Sequence, residues 1–183
     1  LLVARFNLLP ELRRRIGYEI NMAKAGKEAR IILKMNALQD PAMIDELYKA
    51  SEAGVKIDLI VRGICCLIPN QPYSRNIRIT RIVDSFLEHA RVWYFHHGGK
   101  PLLFMGSPDW MRRNLYRRIE AVTPILDEDL KQQLIDMLVI QLKDNRKAGW
   151  VDENLNNVLK RNPKEEPVRA QYAFYEYLKG KNK

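Results

Sequence analysis

ARIILKMNALQDPAMIDELYKASEAGVKIDLIV, residues 29–61, sets the architecture of this chain. ARIILKM (29–35) crowds aliphatic and β-branched side chains into a run of strand length. Asp40 stands before Pro41, an N-cap followed by a residue whose missing N–H is no loss in the first helical turn. Ile44, Leu47 and Tyr48 carry a helical pattern on to Ser51, and Gly54 closes it. VKIDLIV (55–61) alternates, so that Val55, Ile57, Leu59 and Val61 share one face. Strand, helix and strand in this order predict a layered α/β sheet.

The pattern extends both ways. Leu8, Leu12, Ile16, Ile20 and Ala23 recur at helical spacing before Gly26, which predicts a helix over 10–25. Downstream, residues 63–76 hold two prolines and read as a loop. IRIT (77–80) reads as a strand and IVDSFL (82–87) as a helical turn. HARVWYF (89–95) and PLLFMG (101–106) flank HHGGK, a hairpin turn. RRIEAVTPIL predicts a further strand up to Pro124. Asp127 then caps an amphipathic helix carrying Leu130, Leu134, Met137, Leu138 and Leu142. From Trp150 the chain is polar and basic, is broken at Asn162-Pro163, and ends in a helix around VRAQYAFYEYL.

The chain has 183 residues and is 46% hydrophobic, enough apolar surface for one ordinary domain and too much for intrinsic disorder. No apolar run approaches the ~18 residues of a membrane-spanning helix. LLVARF has no charged leader, cleavage site or initiator Met, so a piece of a longer protein is expected. Cys65 and Cys66 are adjacent, without metal-ligand spacing; reduced, packed thiols in a cytoplasmic protein are expected. The net charge of +9 predicts a polyanionic partner: nucleic acid, an acidic membrane surface, a nucleotide or a phosphate polymer. MRRNLYRR places Arg112, Arg113, Arg117 and Arg118 within seven positions, dense in the side chain that forks onto phosphate oxygens.

In open α/β sheets ligands sit beyond the carboxyl ends of strands, and Arg62 stands there, after VKIDLIV and before Gly63. His89 and Arg91, two apart, are expected on one face of the next strand, with Gly106-Ser107-Pro108-Asp109-Trp110 closing the strand after it. Together they can surround a phosphoryl group: a histidine as nucleophile or acid, a cation on the oxygens, a serine donating a hydrogen bond. His96 and His97, beside the hairpin glycines, read as exposed turn residues.

His89-x-Arg91 followed by Gly106-Ser107-x-Asp109 resembles the H-x-K…G-S-x-N motif of the phospholipase D superfamily. Arg stands for Lys, Asp for Asn, and the motif's acid falls on His96. ILKMNALQD, GVKIDLIVRGICCLIPN, IVDSFLEHARVWYFHHGG and SPDWMRRN, with EAVTPILDEDLKQQL and VRAQYAFYEYLK, are similar to the C-terminal part of the bacterial polyphosphate kinase family. The resemblance implies a phospholipase-D-like layered α/β/α half-domain, its mixed sheet flanked by helices. It takes residues 1–149 as the catalytic domain and 150–183 as its basic, partly helical tail. It implies reversible transfer of the terminal phosphoryl group of ATP to inorganic polyphosphate, through a phosphohistidine in the preceding domain of the same polypeptide. His89 matches the second catalytic histidine and Arg62 an arginine on the nucleotide phosphates. Arg113 and Arg118 are candidates for phosphate contact, as are Arg91 and Ser107 from the motif. Mg2+ is implied with its ligands upstream of this chain, so none is expected here. ATP or ADP, polyphosphate and a second copy of the chain are the expected partners, with no specific nucleic acid. A cytoplasmic place, peripheral to the inner membrane face, goes with them. Two other readings of the residues stay open: a phospholipase-D-like phosphodiesterase or nuclease, and a non-catalytic polyanion-binding module.

Overall fold

The computed structural model describes residues 1–161 and 164–181. In chain order the elements are β1 (Leu2–Val3), α1 (Leu8–Lys24), β2 (Arg30–Met35), α2 (Pro41–Glu52), β3 (Lys56–Val61), β4 (Ile77–Ile82), β5 (Arg91–Phe95), β6 (Leu102–Gly106), β7 (Ala121–Pro124), α3 (Glu128–Lys143), β8 (Ala148–Val151), β9 (Asn157–Leu159) and α4 (Ala170–Lys181). The strands form one sheet in the order β1-β7-β6-β5-β2-β3-β4-β8-β9. β2, β3 and β4 run parallel at its centre, and antiparallel pairs extend it on both sides.

The period of two along the central strands sorts side chains onto two cores. Ile31, Leu33, Ile57, Leu59 and Trp93 pack on one face against Leu8, Leu12 and Ile16 of α1 and Met43 and Leu47 of α2. Ile32, Ile60, Val92 and Leu103 meet Met137 and Leu138 of α3 and Ala170 of α4 on the other. The expected layered α/β/α domain with a mixed sheet is therefore the architecture. Its helix starts are those written in the sequence: the Asp40 carboxylate accepts from the Met43 N–H at 3.1 Å and the Asp127 carboxylate from the Leu130 N–H at 2.9 Å. Gly54, at φ +100°, ends α2 in a conformation open to glycine.

Several sequence expectations change. No helical turn forms at 82–87, because Ile82 finishes β4 and residues 83–90 run irregularly, held by polar contacts described below. β5 begins at Arg91, so His89 precedes the strand instead of opening it. The strand over RRIEAVTPIL shortens to Ala121–Pro124, since Arg113–Arg117 coil into a wide π-type turn. Of the two thiols only Cys65 is packed; burial pushes it up to about 11, whereas Cys66 is exposed. Asn162-Pro163 lies outside the described residues. Residues 148–159 add β8 and β9 to the sheet beside β4.

Gly106 on β6 faces β7 with no room for a side chain. A Cβ there would lie 2.5 Å from the Ala121 carbonyl oxygen and 2.9 Å from Val122 Cα. Gly106→Ala is expected to lower the unfolding free energy by about 1–3 kcal/mol through overpacking. Urea denaturation measures it, and an unchanged midpoint would contradict this close packing.

Candidate active site

The ends of β2 and β3, the start of β5 and the end of β6 lie on one edge of the sheet, because Met35 pairs with Val61, Lys34 with Val92 and Arg91 with Gly106. That register brings Arg62, His89, Arg91 and Ser107 to the same edge, although they span 45 positions of sequence. Beyond it the chain continues as a small ladder: the Gly63 N–H donates to the Asn36 carbonyl at 2.8 Å and the Trp110 N–H to the Ala37 carbonyl at 3.1 Å. The half-buried Arg62 sits on that ladder. Arg81 braces it, donating to the Val61 carbonyl at 3.3 Å and the Gly63 carbonyl at 2.7 Å.

His89 is exposed, and its ring lies against Arg91, whose Nη1 is 2.9 Å from Nδ1 and 3.3 Å from Nε2 and also donates to the His89 carbonyl at 2.9 Å. A guanidinium can only donate, so a ring nitrogen that hydrogen-bonds to it is the acceptor. Arg91 Nη2 in turn reaches Asp109 at 3.0 Å. The buried Asp109 carboxylate also accepts from the Asn36 N–H at 2.7 Å and the Ala37 N–H at 3.1 Å. The ordering chain is therefore backbone just past β2, carboxylate, guanidinium, imidazole. The Asn36 amide, buried beside it, has no hydrogen-bond partner among the described residues.

Lys34 is buried one residue short of the end of β2 and forms a 2.6 Å ion pair with Glu88, the neighbour of His89. Burial lowers the Lys34 amine below the usual lysine range, Glu88 opposes that, and the charge of nearby Arg62 adds to it. Asp84, at the other end of the irregular segment, is paired with Arg169 at 2.5 Å. Hydrogen bonds from Arg169 hold its carboxyl down at about 2. A depressed carboxylate stabilises the fold fully above its unfolded value near 3.8 and ceases to as pH falls through about 2. Melting temperature is thus expected to drop between pH 4 and pH 2 less steeply in Asp84→Asn than in the parent. Parallel curves would remove this pair from the acid response.

Ser107 Oγ donates its hydrogen bond to Glu120, and Asn114 Nδ2 donates to the same carboxylate at 2.6 Å. These contacts fix the turn whose Arg112, Arg113, Arg117 and Arg118 are all exposed. His97 is half-buried over Tyr18, with ring centroids 4.1 Å apart, and His96 is likewise half-buried; both turn residues lie at the opposite edge. Among the described residues no group of three His, Cys, Asp or Glu side chains is placed to hold a metal. The Asp109 carboxylate is taken by Arg91 and two backbone N–H groups. Sequence reasoning missed Glu88, Asp109 as counter-ion, Arg81 and the α4 contacts, because their partners lie far along the chain and leave no local spacing.

A histidine, two arginines and a carboxylate brace thus gather at one edge of a layered α/β/α sheet. NucT from Helicobacter pylori shares the fold, at 12% identity and a TM-score of 0.54 over 78% of this chain and 93% of that one. Residues 1–171 match the family model of polyphosphate kinase C-terminal domain 2. The chain belongs to the polyphosphate kinase family. It is 46% identical to the polyphosphate kinase of Vibrio cholerae over 184 aligned positions, covering 100% of this chain and 26% of the relative. It is 44% identical to that of Escherichia coli K12, covering 93% and 26%. The crystal structure of polyphosphate kinase from Porphyromonas gingivalis superposes with a TM-score of 0.97 at 58% identity, over 98% of this chain and 28% of that one. The chain thus spans about a quarter of the length of the curated relatives it matches. No helix among the described residues is long and apolar enough to cross a membrane.

Proposed function

We propose that this domain supplies one wall of an active site that moves the terminal phosphoryl group of ATP reversibly onto inorganic polyphosphate. The observation that carries it is the convergence of Arg62 and the His89–Arg91 pair on one sheet edge. Phosphoryl transfer asks a protein chiefly to place charge around an in-line transition state. Arg62 offers a fork to non-bridging oxygens. His89 donates a ring N–H to the phosphoryl group, or exchanges that proton as acid and base. Arg91 sets the ring's orientation while Asp109 offsets its charge. Ser107 acts through Glu120 and Asn114, holding the turn from which Arg113 and Arg118 reach phosphates.

A polyanion fits the surface nearby. A hollow of about 310 Å3 beside β8 is lined by Arg81, Arg146, Lys147 and Arg161, with no carboxylate among its lining residues. The nucleophilic phosphohistidine and the Mg2+ ligands belong to the preceding domain of the same polypeptide, and the full-length protein works in the cytoplasm as a homo-oligomer.

The test uses the full-length protein with γ-labelled ATP and Mg2+. Label is expected in polyphosphate, with ATP re-formed from ADP and polyphosphate. The 183-residue segment alone is expected to elongate no chain, because half of the site is missing. Chain elongation by the segment alone would contradict the shared site; phosphodiester hydrolysis without transfer by the full-length protein would replace the reading.

A further inference from the structure

We propose that Arg169, just ahead of α4, and Gln171 in its first turn position the loop that carries His89 and so act on phosphoryl transfer through residues 83–90. The inference rests on the role given to His89 above.

This loop cannot be held by apolar packing. It has no strand or helix of its own, and its large apolar side chains face outward: Val83 is 65% exposed, Phe86 66% and Leu87 70%. Its course must be set by polar contacts, and most of these come from Arg169 and Gln171 at the start of α4. Asp84, its side chain 1% exposed, receives Arg169 Nε at 2.8 Å and Nη2 at 2.5 Å, and Nη2 also donates to Ser85 Oγ at 2.8 Å. Gln171 then pairs with the backbone of Phe86 as a neighbouring strand would. Its Oε1 accepts from the Phe86 N–H at 2.9 Å, and its Nε2 donates to the Phe86 carbonyl at 2.8 Å. Nε2 also lies 2.8 Å from Glu88 Oε1. The other Glu88 oxygen receives Lys34 Nζ at 2.6 Å and Gln141 Nε2 at 2.8 Å. Residues 84, 86 and 88 are therefore each gripped, on alternate positions leading to His89.

A brace works only if its own seat is fixed. The Ala170 N–H donates to Asp144 Oδ2 at 2.7 Å, and Val168 exchanges two hydrogen bonds with Asn145, at 2.8 and 3.0 Å. Asp144 and Asn145 are buried at the end of α3, and Ala170 is 1% exposed. The rigid body of the domain thus reaches the loop through the start of α4 as well as through Arg91 and Lys34. Because the loop contributes no residue to either core beyond Ile82, loosening it moves the histidine without melting the domain.

A displacement of about 1 Å at a reacting group costs on the order of 10²-fold in rate. In the full-length protein, Gln171→Ala is therefore expected to lower kcat for polyphosphate synthesis about 10–100-fold. Hydrogen exchange in residues 83–90 is expected to rise while β2 and β3 stay protected. In a His89→Ala background the same substitution is expected to change the rate less than about twofold, because independent sites add and coupled ones do not. Full activity in Gln171→Ala, equal losses in both backgrounds, or unchanged exchange in the loop overturns the proposal. If Gln171→Ala shows no cooperative melting, Arg169→Lys, which keeps the charge and loses the fork, runs through the same cycle. Should His89→Ala itself be fully active, the role of His89 falls, while the exchange measurement still decides whether α4 holds the loop.

Discussion

His89→Ala is expected to lower ATP-dependent polyphosphate synthesis by the full-length protein about 10²–10⁴-fold, the range for losing a positioned proton donor or acceptor. Its melting temperature stays that of the parent, because the ring is exposed and belongs to neither core. Arg62→Ala is expected to act comparably, but with a rise in KM for ATP, since an arginine on phosphate oxygens binds the ground state as well. Asparagine at 89 separates two contributions. If hydrogen-bond donation is the main one, His89→Asn retains part of the rate; if proton exchange is, it matches alanine. Near-normal turnover in both His89→Ala and Arg62→Ala would sink the assignment.

Asp109→Ala has the largest expected effect on stability. The carboxylate is 6% exposed and meets two backbone N–H groups of the chain leaving β2 and the Arg91 guanidinium, itself mostly buried. Removing it strands a cation and two donors in a site that water hardly reaches, at a cost of about 3–5 kcal/mol. Asp109→Asn keeps one acceptor oxygen for the backbone but loses the charge facing Arg91, so about half that loss is expected. Chemical denaturation of both variants measures it. A loss below about 1 kcal/mol in Asp109→Ala would mean that Arg91 finds another partner.

Much of this was legible in local sequence. Asp40-Pro41, Gly54 and the alternation of 55–61 define a strand–helix–strand unit, and each of those residues acts where the pattern puts it. Arg62, His89 and Arg91 could be nominated because strand ends carry function and because HAR and GSPD stand close together. The structure adds which of them meet. Arg91 lies against the His89 ring, whereas the hydroxyl proton of Ser107 goes to Glu120. What stayed hidden is long-range. Lys34 pairs with Glu88 across 54 positions, Asp109 takes the N–H of Asn36 across 73, and Gln171 reaches Phe86 across 85. No spacing rule spans such gaps. The segment IVDSFL read as a helical turn for the same reason: its own residues permit one, and contacts from α4 override it.

On the side of β4 the sheet stops at β9, a strand of three residues. An unpaired strand margin is a template for another chain, and its danger grows with the length of free N–H and C=O groups it displays. On this side the ladder tapers to three residues, so a stray copy has little backbone to zip onto. Crowded copies are therefore not drawn into fibrils through that margin.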